Sequence, residues 1–98
     1  METKNYIAIT DFCYGHKIDE SFVFSLGEYD LIQIDYVKKK PFFHQDDLPK
    51  LEKLVRLHQE LNINLDGLEA IHHLLEKIEK LHEELIVLKR KVNRFEEF

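Results

Sequence analysis

The chain has 98 residues and a net charge of −5, with 44% hydrophobic and 34% charged residues. This length allows one domain plus at most one extension, and this composition suits a globular chain that carries one very polar helix. The negative charge argues against nucleic acid or anionic lipid as a partner and favours a basic one. No apolar run approaches the roughly 18 residues of a membrane span, and no signal-peptide pattern opens the chain.

The acidity is concentrated in the first half of the chain. Residues 1–47 contain nine acidic and five basic side chains, a balance of −4, whereas residues 48–98 contain ten and nine, a balance of −1. A single cysteine, Cys13, excludes an intrachain disulfide framework and fits a reducing compartment. We therefore expect a cytoplasmic protein whose N-terminal half meets a basic surface.

The first elements are a short strand and two short helices. Residues 5–9 are rich in β-formers and predict a strand. Thr10 is placed to cap a first helix that ends at Gly15, and Asp19 is placed to cap a second helix that ends at Gly27. The second helix has three residues for a buried face, namely Phe22, Val23 and Leu26.

A β-hairpin is predicted next. Ile32, Ile34 and Tyr36 alternate with polar residues, which is the period of a half-buried strand. The run from Lys38 to Pro41 is typical of a turn, and the two phenylalanines that follow would form the returning strand. Such a hairpin after two helices has the form of a wing.

A third helix follows and begins between residues 44 and 48. Pro49 is compatible only with its first turn, where a missing N–H costs little. Asn62 and its neighbours interrupt the apolar pattern of the third helix and so mark its end, and Asn64 can cap a fourth helix. The apolar stripe of the third helix comprises Leu51, Leu54, Val55, Leu57 and Leu61.

The fourth helix has the clearest pattern in the chain. Its apolar residues follow one another at alternating spacings of three and four, as in a coiled-coil seam. The seam residues are Ile71, Leu74, Ile78, Leu81, Leu85, Leu88, Val92 and Phe95. A stripe this long cannot be buried on a 60-residue head, so we expect a head at 1–63 and a dimerisation helix at 64–98. The alternative is a helix that folds back on its own domain.

The residues offer little for metal binding or catalysis. None of the six histidines forms a His-x₃-His pair, and Cys13 has no partner thiol nearby. The chain has no phosphate-binding glycine loop and no nucleophile motif. We therefore expect no metal, no cofactor and no enzymatic activity.

The order of these elements resembles the winged-helix architecture of the MerR superfamily. The run from Leu54 to Leu68 is similar to the junction between the third and fourth helices of that superfamily. Ile9-Thr10-Asp11-Phe12-Cys13 resembles the opening of the CbpM-type chaperone modulators, and the ranges 54–75 and 88–95 resemble their C-terminal half. The expected fold is mainly α, with a MerR-like winged helix-turn-helix head, a small β wing and a long C-terminal coiled-coil dimerisation helix.

The resemblance implies a homodimer that binds the J-domain of a DnaJ-like co-chaperone and restrains its activity. A second hypothesis is a MerR-like DNA-binding transcriptional regulator, and a third is a dimeric scaffold with an unknown partner. The second helix argues against DNA, because it would bring carboxylates rather than cations to the phosphates. The three lysines of the wing turn could contact a DNA backbone, but three lysines on a turn are more often simply solvated.

An acidic head suits the basic helix that J-domains present, so we expect partner contacts there. These carboxylates could alternatively be a helix cap and ordinary solvated surface. The candidate contacts are Asp11, Asp19, Glu20, Glu28 and Asp30, which flank Phe22 and Phe24. In the DNA-binding relatives the paired long helices run antiparallel. Isoleucine at position a with leucine at position d, together with Glu84–Lys89 and Lys91–Glu96 pairs between helices, also suits a parallel pair, so the orientation stays open.

Overall fold

A computed structural model describes residues 5–96 of the chain. It is mainly helical, with a small antiparallel sheet and a long C-terminal helix, as the sequence predicts. The elements in chain order are β1 (Tyr6–Ala8), α1 (Ile9–His16), α2 (Glu20–Glu28), β2 (Asp35–Val37), β3 (Lys40–His44), a 3₁₀ turn (Gln45–Asp47), α3 (Leu48–Leu61) and α4 (Leu65–Glu96).

The wing hairpin is confirmed and belongs to a three-stranded sheet of order β1-β3-β2. A two-residue turn, Lys38-Lys39, joins β2 to β3, and both residues have positive φ angles, 51° and 67°. Strand β2 begins later than predicted because the chain first wraps the end of α2, where the Leu31 N–H donates to the Leu26 carbonyl at 2.9 Å. Ile32 is buried all the same.

The head has one hydrophobic core, to which every described helix and the sheet contribute. The largest side chains that are fully buried in it are Phe43, Ile9, Leu26, Leu31, Leu51, Leu68 and Val23. Leu68 belongs to α4, so the first turns of the long helix pack with the head. The division at 63/64 stays a prediction, and residues 1–4, 97 and 98 of its two ranges lie outside the described residues.

The predicted start and end of the first helix were wrong. Helix α1 begins at Ile9 and its N-cap is Ala8, because β1 runs directly into the helix. Thr10 therefore lies inside α1, where its hydroxyl donates to the Glu20 carboxylate at 3.3 Å instead of capping a helix. The helix continues through Gly15 and ends at Lys17, which takes the left-handed conformation with φ 53°.

Asp19 occupies the N-cap position of α2 as predicted, with extended backbone, although its side chain makes no capping hydrogen bond. Gly27 was expected to end this helix, yet α2 continues to Glu28. Gly27 is needed for a different reason: a Cβ there would lie 2.7 Å from Cδ1 of Ile34. The glycine therefore lets the wing approach α2 closely.

The junction between α3 and α4 follows the prediction. Pro49 lies in the first turn of α3, and Asn62 ends the helix in the left-handed conformation with φ 56°. Asn64 caps α4, because its side-chain oxygen accepts from the Gly67 N–H at 2.8 Å. Leu61 departs from the predicted apolar stripe, since it lies at the helix end beyond the core and is 65% exposed.

Helix α4 contains 32 residues and is about 48 Å long at roughly 1.5 Å per residue. The described chain measures 60 × 36 × 21 Å, so α4 extends well beyond the head. Among residues 5–96, none of the helices is both long and apolar enough to cross a membrane.

Candidate protein-interaction surfaces of the head and of the long helix

Helix α2 presents one outward side made of three of the predicted contact residues. Glu20, Phe24 and Glu28 follow at a spacing of four, so they lie in one line along the helix. Val23 and Leu26, on the opposite side, are completely buried. The outward line is therefore an acidic strip with an aromatic ring at its centre, and we call it the α2 strip.

The structure places the other predicted acidic residues away from the centre of this strip. Asp19 precedes α2 at its N-cap, and Asp11 lies on α1, about 100° around that helix from Thr10. Asp30 has a positive φ of 59° and lines, with Asp47 and Lys50, a hollow that also includes Gly27 and Ile34. All three carboxylates are exposed, and Asp19 directly precedes Glu20 at the N-terminal end of the α2 strip.

The two phenylalanines of the predicted set have different surroundings. Phe22 stacks on His58 of α3, with ring centres 4.1 Å apart and planes 20° apart. The same histidine contacts the Ile63 carbonyl through Nδ1 at 2.8 Å, so it joins α2, α3 and the α3–α4 junction. Both phenylalanines are half-buried against the core, and Phe22 is in addition held by α3, whereas Phe24 keeps part of its ring at the surface.

Acidic side chains and burial together make Cys13 a poor nucleophile. The thiol is 5% exposed, and burial raises its pKa to about 11, with the charges of Glu20 and Asp19 acting in the same direction. A thiol with this pKa is almost fully protonated at neutral pH. Cys13 therefore serves as a packing residue.

A shallow hollow lies between α2 and the wing. Sequence reasoning did not identify two of the residues that line it as surface residues. Ile34 and Tyr36 were assigned to the half-buried face of a strand, and their alternation with polar residues is the signal that places them on one face. In the folded chain they line this hollow together with Phe24, Gly27 and Glu28. Tyr36 is 63% exposed, so the apolar face of the strand continues past the edge of the core.

The predicted seam of α4 lies at the surface of the isolated chain. Ile71 is partly buried beside the head, and the seven residues that follow it are all exposed. Their exposed fractions range from 46% for Val92 to 80% for Phe95. This is a long apolar stripe that the described part of the chain leaves uncovered.

A second side of α4 packs on α3 and has a different chemistry. His72 and Leu75 of α4 line an open groove with Leu54 and Leu57 of α3, and Lys50 lines the same groove. Burial lowers the pKa of His72 and the Lys50 charge adds to this, while Glu76, at 3.4 Å, acts in the opposite direction. This side fastens the helix to the head.

Within the described range 5–96, no group of three or more histidine, cysteine, aspartate or glutamate side chains could hold a metal ion. Several histidines instead contact single carboxylates, as His16 does with Glu52 at 3.2 Å. His16 also stacks on Phe12, with ring centres 4.1 Å apart. These described histidines act as packing and hydrogen-bonding groups.

Comparison with known proteins identifies this arrangement of a helix pair, wing, third helix and long helix. Residues 7–90 match the family described as "MerR HTH family regulatory protein". The chain belongs to this family. The match includes β1, the two short helices, the wing, α3 and most of α4.

Two relatives carry a more specific description than the MerR HTH family does. The chain is 26% identical to the chaperone modulatory protein CbpM of Pseudomonas entomophila and 25% identical to that of Pseudomonas putida. Each comparison includes 84 residues, which are 85% of this chain and 83% of the relative. The descriptions of the family and of these two relatives are of regulatory and modulatory proteins rather than of enzymes.

Proposed function

We propose that this chain is a non-catalytic cytoplasmic chaperone modulator that binds the J-domain of a DnaJ-like co-chaperone and restrains its activity. The observation that carries the proposal is its similarity to two CbpM proteins over 85% of its length. The partner is a basic protein surface, and the acidic head of the MerR HTH fold supplies the complementary charge.

The exposed chemistry of α2 supports a protein partner over DNA. A helix that reads the major groove offers cations to phosphates and Arg, Lys, Asn or Gln to base edges. The α2 strip instead offers Glu20, Phe24 and Glu28. Lys38 and Lys39 at the wing turn are exposed, but the α2 strip contains no cation, so the positive charge of the turn does not continue onto α2.

The functional unit in this proposal is a homodimer joined through α4. At 100° per residue, the seam lies on average about 120° around the helix from the line through Leu68, His72 and Leu75 that packs on α3. A second helix can therefore cover the seam without displacing the head.

The charges of α4 are compatible with both orientations of the pair. Residues 65–84 contain six acidic and two basic side chains, whereas residues 85–95 contain four basic side chains and no acidic one. An antiparallel arrangement places the acidic half of each helix beside the basic half of the other, whereas a parallel pair would bring Glu84 of one helix to Lys89 of the other. Isoleucine and leucine at the seam are compatible with both orientations.

Titration calorimetry with a J-domain from the same organism tests the proposed function. The J-domain is titrated into the dimer at two salt concentrations, with Glu20→Lys as the variant and Glu60→Lys as its control. Both glutamates are exposed and both changes alter the net charge equally, but Glu60 lies near the end of α3. We expect binding that weakens with salt and weakens about tenfold in Glu20→Lys alone.

Two outcomes would count against the proposed function. Failure of the wild-type dimer to bind any J-domain of the organism would remove it. Sub-micromolar binding of duplex DNA at low salt, measured by fluorescence anisotropy, would favour a DNA-binding regulator instead, because phosphate contacts are strongest under that condition.

A further inference from the structure

The hollow between α2 and the wing has the form of a small docking site. Phe24, Gly27 and Glu28 of α2 form one wall and floor, and Ile34 and Tyr36 form the other wall. Its volume is about 250 Å³, which is enough for one or two large side chains of a partner and too small for a whole element.

The hairpin register explains why apolar surface lies over this hollow. Tyr36 pairs with Pro41, and opposite residues of an antiparallel pair share a face of the sheet. Phe43 lies two residues beyond Pro41 on that same face and is completely buried in the core. Tyr36 therefore belongs to the core-facing side of the sheet but lies beyond the core, with 63% of its surface exposed.

The floor of the hollow is held in place before any partner arrives. The backbone of Gly27 lies so close to Ile34 that a Cβ would be 2.7 Å from Cδ1. Phe24 and Ile34 both pack against the core cluster of the head. A rigid apolar floor lowers the entropic cost of binding, because the site has little freedom left to lose.

The charge at the hollow selects a cationic partner. Glu28 lies on its rim, and Glu20 lies two turns along the same side of α2. The five residues that line the hollow include one carboxylate and no cation. The lysines of the wing lie beyond Tyr36, at the tip of the hairpin.

We propose that this hollow is the docking site for the J-domain, an inference that rests on the function proposed above. A cationic amphipathic helix of the J-domain inserts an apolar side chain between Phe24 and Tyr36, and its lysines or arginines pair with Glu28 and Glu20. The apolar contact sets the dissociation rate, and the charges set the association rate and the salt dependence.

Calorimetric titration of the J-domain into two variants of the full chain tests this site. Tyr36→Ala removes an exposed ring and Glu28→Lys reverses an exposed rim charge, so neither disturbs the core. The matched controls are Leu61→Ala, whose side chain is 65% exposed at the end of α3, and Glu60→Lys. We expect Kd to rise at least tenfold in each test variant and to stay within twofold of wild type in each control.

Amide chemical shifts supply an independent measurement on the unmodified protein. Titration of unlabelled J-domain into the ¹⁵N-labelled dimer should shift the amide signals of Gly27, Glu28 and Tyr36 more than those of residues 58–61. This pattern would place the partner at the hollow without any substitution that could perturb folding.

The possible results separate this inference from the proposed function. J-domain binding with a Kd unchanged by Tyr36→Ala and Glu28→Lys would overturn the site and leave the function standing. No binding to wild type would overturn both. Loss of the dimer in Tyr36→Ala, or displacement of the J-domain by duplex DNA, would assign the hollow to a second copy or to nucleic acid and overturn the inference.

Discussion

His72 shows how a single side chain couples the head to the long helix. It lies on α4 against α3, with 16% of its side chain exposed. Burial lowers its pKa from the ordinary 6.5, the positive charges of Lys50 and His73 act in the same direction, and Glu76 partly opposes them. The folded chain therefore disfavours the protonated ring, whereas the unfolded chain does not.

We expect His72 to make stability fall as the pH is lowered. Because its pKa is lower in the folded state, the contribution of the neutral ring is fully present above pH 6.5 and is lost as the pH falls through the folded-state pKa. Urea midpoints at pH 7.5 and 5.5 should differ less in His72→Gln than in wild type. His73→Gln is the control, since His73 is 64% exposed. Equal pH dependence in all three proteins would contradict this role.

At the scale of elements, the wing turn has an unusual composition for its geometry. A two-residue hairpin turn with positive φ at both positions is of the type that favours Asn-Gly, because these residues tolerate the left-handed region. Here both positions are occupied by lysine. Each non-glycine residue in that region costs roughly 1–2 kcal/mol, so the hairpin retains removable strain.

The double variant Lys38→Asn/Lys39→Gly should stabilise the head by about 1 kcal/mol, because it relieves both strained positions. Lys38→Ala/Lys39→Ala removes the same two charges without relieving the backbone and should not stabilise. Urea denaturation of the three proteins at fixed concentration measures the difference. Equal stabilisation by both variants would mean that charge repulsion, and not the turn conformation, is the cause.

At the scale of the whole molecule, the proposed dimer depends on the exposed seam of α4. Leu81→Lys/Leu85→Lys would place two unpaired charges in the interface, which costs on the order of several kcal/mol. Sedimentation equilibrium at tens of micromolar should then give a monomer of 11.8 kDa, against twice that mass for wild type. The control is Ile86→Lys/Val87→Lys, which adds the same charges away from the seam and should stay dimeric.

A monomeric wild type at tens of micromolar would contradict the dimer. Orientation needs a separate measurement, for which a spin label at Asn93→Cys in a Cys13→Ser background is suitable. In an antiparallel pair centred near residue 83, the two labels would lie about 30 Å apart, because each is ten residues from the centre at 1.5 Å per residue. Labels about 10 Å apart would indicate a parallel pair instead.

The features that depend on neighbours in sequence could be predicted without the tertiary structure. Pro49 and the asparagines at 62 and 64 determine where α3 begins and where α3 and α4 meet, because a missing N–H, a tolerated positive φ and a capping oxygen all act within one helical turn. The seam of α4 and the alternation in the wing are likewise properties of periodicity. These local rules establish the order of elements and the family resemblance.

Only the tertiary structure decided which side chains remain available for a partner. The sequence pattern assigns Phe22 to the buried face of α2, but only the structure shows what holds it there, because His58, 36 residues after Phe22, stacks on its ring. Thr10 could have capped a helix and instead reaches Glu20 on another one. Tyr36 could have been buried, but the hairpin register carries it past the edge of the core. Each outcome depends on contacts between residues far apart in the chain, and no local pattern records such contacts.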